Sequence, residues 1–266
     1  MSESERAADG FTRTADKYDE IVRHNIMGAH RLVMSIPSGE YRRVLDVGCG
    51  TGSSSLAMVE RFGCDEVVGV DPAQGMLDQM AEKLDAFPGT RFSLLPEDVM
   101  EMSAPDASFD AVISSMAFHW FEDKPAAVAE MARVLKPGGI MAILGSGRGG
   151  EEAFRLALAG IDPPIPARWM AAFDFIQRDV HELDDYFRQA GLEPIDVWME
   201  RRRRCTPVED FLARMRVVAG HLASDLDQQQ RTQLEGRVEQ AIRDVSTPDG
   251  FVYDFTKLFG VARKPE

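Results

Sequence analysis

The segment VLDVGCGTGSSS, residues 44–55, runs from an apolar strand-like stretch through a glycine-rich turn into a helix. Glycine lets backbone approach a ligand closely. A helix starting there offers free N–H groups and the positive end of its dipole to a carboxylate or phosphate. Gly48, Gly50 and Gly52 with Ser53 make a GxGxG pattern, so the GxGxxG spacing of nicotinamide and flavin sites is not met. The lysine of a P-loop is also missing. Asp71 closes the run VVGV, 21 residues beyond Gly50, where an acidic side chain accepts hydrogen bonds from ribose hydroxyls. Asp98 follows a third apolar run, and AFHWF puts His119 and Trp120 just past a fourth. An imidazole with an unperturbed pKa of about 6.5 suits proton uptake from a hydroxyl or amine, which makes His119 the catalytic candidate, with a buried structural histidine as the alternative. In an extended segment adjacent side chains point to opposite sides, so only one of His119 and Trp120 is expected at the ligand. His24 and His30 are six apart, do not share a helix face, and have no HxxxH companion, so no metal site is expected.

These residues need elements to hold them at one edge. Short Val, Ile and Leu runs bounded by Gly, Pro or Asp read as buried strands at Arg43–Val47, Glu66–Val70, Arg91–Leu95, Ala111–Ser114 and Ile140–Leu144. Between them LAMVERF stops at Gly63, MLDQMAEKL before Pro88, and AAVAEMARVL before Pro137 and Gly138. Strand alternating with helix predicts an α/β fold, a doubly wound sheet whose ligand lies at the carboxyl ends of its strands. Three prolines around IDPPIPARW make 148–178 an irregular insertion. HELDDYFRQAGL then reads as a helix stopped at Gly191, PIDVWMER as a strand, and FVYDFTKLFGVARK as the last strand. Thr206, Pro207 and Glu209 spell a capping box for a helix carrying Phe211, Met215, Val218 and Leu222. Leu234, Val238, Ile242 and Val245 mark one face of another helix. Arg201 to Arg204 read as a solvated strand end, and Trp169 as a loop aromatic that packs into core or, alternatively, lines a pocket.

The 266 residues carry 30 Lys+Arg against 44 Asp+Glu, a net charge of −14, which argues against a general electrostatic grip on nucleic acid or an anionic membrane. The three cysteines, Cys49, Cys64 and Cys205, fit neither a disulfide framework nor a CxxC site. No apolar run approaches the roughly 18 residues of a membrane span, and the polar start MSESERAADG has no leader-like core. A soluble cytoplasmic protein is expected.

In this order and spacing, VLDVGCGTG, VGVDPAQGML, EDVMEMSAPDASFDAV, AFHWF and MARVLKPGG resemble the motifs of class I S-adenosylmethionine-dependent methyltransferases, in the small-molecule group with menaquinone/ubiquinone-pathway and trans-aconitate enzymes. Residues 40–145 carry the resemblance; before them only FTRTADKYDEI shares it. It implies a Rossmann-like seven-stranded sheet with the last strand antiparallel, and S-adenosylmethionine as cofactor. It also implies roles. Asp46 and the Gly48 backbone would hold the methionine amino group, with Gly50 close against the cofactor. Asp71 would take the ribose and Met76 would pack on adenine, although Met76 also fits helix core with Leu77 and Met80. Asp98 with the Val99 backbone would read the adenine edge, Ser115 would lie beside the methionine part, and Tyr18 would close over the site. The expected activity is methyl transfer to O, N or C of a small organic acceptor. A non-methylating relative of the fold and a non-catalytic partner subunit are the alternatives, and oligomeric state is left open. The whole chain is read as one domain: a helical cover at 1–39, a cofactor core at 40–145, and a second half, 146–266, with lid insertions at 148–178 and 206–245.

Overall fold

The apolar runs of the first half form five parallel strands. In the computed structural model, which describes residues 3–162, 164–167, 169–171, 177–223 and 226–266, these are β1 (Arg43–Val47), β2 (Glu66–Val70), β3 (Arg91–Leu95), β4 (Phe109–Ser115) and β5 (Leu135–Ser146). With β6 (Glu193–Thr206) and β7 (Phe251–Arg263) they make one seven-stranded sheet in the order β3-β2-β1-β4-β5-β7-β6. Only β7 runs antiparallel to its neighbours, β5 and β6. The strand order reverses between β1 and β4, which opens a crevice at their carboxyl ends. Val47 pairs with Val70, so β1 and β2 end level, and the glycine turn and Asp71 emerge side by side.

Nearly every β1 and β2 residue is buried, as a sheet covered on both faces requires. One face carries Leu45, Val112 and Ile143 under α5 (Lys124–Val134) and α7 (Val180–Gln189), whose Met131, Leu183 and Phe187 are fully buried. Val44, Ile113 and Ala142 face the other way, under α2 (Arg23–Ser35) and α3 (Ser53–Phe62). Each such Val, Leu, Ile, Met or Phe side chain contributes about 1.5–3 kcal/mol of transfer free energy. A third core lies on the start of β7, where Phe251, Tyr253 and Phe255 meet α6 (Glu152–Ala159), α8 (Val208–Ala219) and α9 (Gln228–Asp244). α1 (Glu3–Ile21) crosses the carboxyl edge, packing on α4 (Gln74–Ala81), α8 and the short turn Gly220–Ala223.

Several local readings yield to tertiary pairing. Thr206 does not cap α8: its pairing with Phe251 keeps it in β6, Pro207 takes the cap position without a side-chain bond, and Glu209 instead meets Arg243 at 2.7 Å. β5 starts directly at Leu135, so Pro137 and Gly138 lie inside the strand, not in a loop before it. α9 buries Leu234 and Ile242, but Val245 lies past its end and is 56% exposed. Within 148–178, α6 forms ahead of the prolines, so the insertion is not irregular throughout. Residues 163, 168 and 172–176 of it, and 224 and 225 of the 206–245 segment, lie outside the described residues. Trp169 packs against the third core. Arg201, Arg202 and Arg203 are exposed along β6, with Arg201 paired to Asp254 at 2.6 Å.

Candidate active site

The crevice between β1 and β4 holds a cleft, at the switch point where open α/β sheets bind small molecules. Gly48 and Gly50 from the glycine turn, Asp71 from the end of β2, and Met76 from α4 line it. Asp98, Val99, Ser115 and Tyr18 complete the sequence-derived set on its wall. Gly48 has φ +68, and a Cβ there would stand 2.2 Å from that of Ala117, so the turn closes only with glycine at this position. Asp71 ties the two strand ends together: its Oδ2 accepts from the Gly50 N–H and its Oδ1 from the Ala73 N–H, both at 2.9 Å. Burial pushes its pKa up to about 6.

Asp46 differs from the rest. It is fully buried and not a wall residue; Oδ2 accepts from Ser54 at 2.8 Å and Ser55 at 2.7 Å, fixing the first turn of α3, while Oδ1 has no partner among the described residues. Its pKa is likewise raised to about 6 by burial. Asp98 caps a short turn by accepting from the Met100 N–H. Tyr18 belongs to α1, its hydroxyl accepting from the Asn25 amide at 3.4 Å and pushed to about 12 by burial. Cys49 is also on the wall, a buried thiol held well above its usual range by burial.

A second cavity opens from the first. Phe11, Tyr18, Asn25, Met116 and Trp120 line both. His119 lines only the second and, contrary to the extended geometry expected of AFHWF, it stands beside Trp120 on the same wall because Phe118–Trp120 is a 3-10 turn. The expectation of a pKa near the free value also fails: burial, reinforced by Lys124, lowers His119 to about 3. Its Nδ1 is buried without a partner among the described residues, as is Oδ1 of Asn25.

The far wall of this cavity carries Glu151 and Arg214, which the sequence did not single out, and His24, which the sequence raised only as a metal ligand. Arg214 donates to Glu151 at 2.5 Å and sits over the rings of Phe211 and Tyr253, 5.3 Å from each. One signal was present, since Arg214 interrupts the apolar stripe Phe211, Met215, Val218 of its helix. The 63-residue gap to Glu151 hid the pair. Met116 and Glu151 both have positive φ, 58° and 59°, conformations that non-glycine residues hold at a cost of order 1–3 kcal/mol and that cluster at functional sites.

α1 is fastened across both cavities. Asp19 accepts from Thr51 and from Lys83, each at 2.5 Å, and Lys83 also donates to the Thr51 carbonyl at 2.7 Å. Among the described residues no group of His, Cys, Asp and Glu could hold a metal ion, and no helix is long and apolar enough to cross a membrane.

The geometry has counterparts among known proteins. The methyltransferase-domain family matches residues 44–139. A malonyl-[acyl-carrier protein] O-methyltransferase of Dechloromonas aromatica (strain RCB) is 28% identical over 264 residues, covering 97% of this chain and 94% of its own. An uncharacterized methyltransferase of Geobacillus kaustophilus (strain HTA426) is 30% identical over 156 residues, 58% of this chain and 70% of that protein. Among solved structures, phosphoethanolamine N-methyltransferase 2 of Haemonchus contortus, in complex with phosphomonomethylethanolamine and S-adenosylhomocysteine, superposes with a TM-score of 0.58 at 19% identity. That overlay spans 98% of this chain and 60% of the other, and speaks to the fold. These similarities fit methyl transfer and not a non-methylating or non-catalytic alternative. A glycine turn at the β1 switch point, an acidic β2 end and a family match across both place this chain in the class I S-adenosylmethionine-dependent methyltransferases.

Proposed function

We propose that the two joined cavities are the donor and acceptor halves of one active site, and that the acceptor is a small organic molecule, not a nucleic acid. The shared wall of Phe11, Tyr18, Asn25, Met116 and Trp120 is the observation that carries this reading. The first cleft fits the cofactor on its own chemistry. The partnerless buried Oδ1 of Asp46 suits an ammonium, and at Gly50, on the cleft wall, a Cβ would stand in open space that a ligand can take. Each Asp71 oxygen, already accepting one backbone N–H, keeps a second lone pair for a ribose hydroxyl. Met76 and Val99, both buried, offer apolar contact to adenine, with Asp98 at its edge. Gly50 and Ser115 border the methionine part.

When bound, S-adenosylmethionine supplies a methyl group on a positively charged sulfur, an electrophile that needs no further activation. The protein's work is then to align, to exclude water and to manage any proton. α1, with residues 1–39 as the cover, closes both cavities through Phe11 and Tyr18; residues 40–145 hold the cofactor, and the second half of this single domain supplies the acceptor wall. His119 is the residue proposed to touch the acceptor. With its pKa near 3 it is a weak base at neutral pH, so its part is a hydrogen bond through Nδ1. Three unpaired cysteines fit a reducing compartment, and the cytoplasm is the proposed site of action.

A co-crystal with S-adenosylhomocysteine tests the assignment. Its ribose is expected on Asp71 and its sulfur toward the shared wall. Adenosine seated away from Asp71, or sulfur pointing away from Met116 and Trp120, would overturn the two-chamber reading.

A further inference from the structure

Three buried polar atoms without partners among the described residues belong to residues of one cavity wall: Asn25 Oδ1, His119 Nδ1 and Arg214 Nε. Buried polar groups are ordinarily satisfied, so such a cluster on a cavity needs an explanation. Arg214 is the most demanding of the three, because it is 7% exposed and carries a permanent charge. Its pairing with Glu151 alone would make it a structural ion pair, the ordinary role of a buried arginine. That pair, however, uses Nη2 and leaves Nε unmet. Further positive charge gathers behind the same wall: Lys257 lies 5.6 Å and Arg204 5.9 Å from the Phe255 ring, and that ring stands edge-on to His24 at 5.1 Å. After burial, Arg214, Lys257 and Arg204 are the causes that hold His24 far down, to about 2. Burial pushes Lys257 down to about 7, so the two arginines, Arg214 and Arg204, are the permanent cations beside this chamber in a chain of net charge −14.

Beyond Arg214 the chamber borders an apolar cavity, and Met215, Ala219 and Leu222 line both. The inner cavity is walled by Phe154, Leu158, Leu234 and Val238 from α6 and α9. Resting on the donor and acceptor reading above, we propose that the acceptor is a carboxylate with an apolar body: Arg214 binds the carboxylate, the body fills the inner cavity, and the carboxylate is the group methylated. In that step a lone pair of a carboxylate oxygen forms the new bond to the methyl carbon. The carbon–sulfur bond breaks with its electron pair left on sulfur. The negative charge of the acceptor and the positive charge of the sulfonium cancel, giving a methyl ester and S-adenosylhomocysteine, and no proton moves. Such an acceptor arrives already ionised, so His119 need only donate or accept a hydrogen bond.

Calorimetry on the protein saturated with S-adenosylhomocysteine tests this, with octanoate, octanamide and acetate as probes. Octanoate should bind at least tenfold tighter than either of the others. Arg214→Met combined with Glu151→Gln removes both charges without stranding a buried carboxylate. It should abolish the preference for octanoate over octanamide and change S-adenosylhomocysteine affinity less than twofold. Octanamide binding as tightly as octanoate, no binding of octanoate, or a preference that survives in the double variant would each overturn the anion site while leaving the cofactor reading intact. Failure of the wild-type protein to bind S-adenosylhomocysteine would instead remove the reading on which the proposal rests.

Discussion

Asp71 is held by two backbone N–H groups before any ligand arrives, so its orientation is fixed in advance. Asp71→Ala takes away the proposed ribose acceptor and frees the Gly50 and Ala73 donors. The loss of S-adenosylhomocysteine binding by calorimetry should be about 1.5–3 kcal/mol, the range for a hydrogen bond to a charged group. Asp46 and Asp71, each raised to about 6 by burial, add a pH dependence. A carboxyl whose pKa is raised by folding stabilises the free protein below its unfolded value, and that contribution is lost as the pH climbs through about 6. Ligand binding works the other way, because an ammonium or hydroxyl donor needs the ionised form. Affinity for S-adenosylhomocysteine should therefore weaken by about tenfold or more between pH 7.5 and pH 5. A flat profile would mean that neither carboxylate meets the ligand. Much of this was legible in the sequence, since Asp71 and the glycine turn are fixed by strand ends that local pattern marks clearly. The Arg214 and Glu151 pair was not, because its partners meet only after α6 and α8 have packed on β7.

At the scale of elements, the seat of α1 on α4 depends on one absent side chain. A Cβ at Gly75 would come within 2.6 Å of the Thr12 carbonyl oxygen and 3.0 Å of its Cα. Alanine favours a helix over glycine by up to about 1 kcal/mol, but the clash is with backbone and cannot be relieved by turning a side chain. Gly75→Ala should displace α1, speed hydrogen exchange across residues 3–21 and weaken cofactor binding by tenfold or more. Exchange in α1 should in turn slow when S-adenosylhomocysteine binds to the wild type. Equal exchange with and without ligand would show that α1 is no cover. The elements also explain which local signals failed. Thr206 has the chemistry of a cap, but thirteen paired residues of β6 along β7 outweigh one side-chain bond. AFHWF, extended by pattern, curls into a 3-10 turn because Met116 takes a left-handed conformation just past β4, its N–H donating to Leu144.

Over the whole molecule, one sheet joins the crevice at β1 and β4, proposed for the cofactor, to the proposed acceptor wall on β7. β5 spans the two, paired with β4 on one side and β7 on the other. Thermal unfolding should therefore be a single transition. S-adenosylhomocysteine at 100 times its Kd should raise the midpoint by roughly 5 °C, from about 2.7 kcal/mol of linkage. Two separated transitions, with only one moved by ligand, would divide the chain into independent units. The wall common to both cavities has a consequence for traffic. Cys49, the cysteine on the cleft wall, is buried with its thiol held protonated, so it is no way-station for the methyl group. On the proposed two-chamber reading, donor and acceptor are resident together under α1, and product release is expected to need that helix to lift. Initial-rate plots at several fixed acceptor concentrations should intersect instead of running parallel, and added viscogen should slow turnover wherever opening, not bond making, sets the pace.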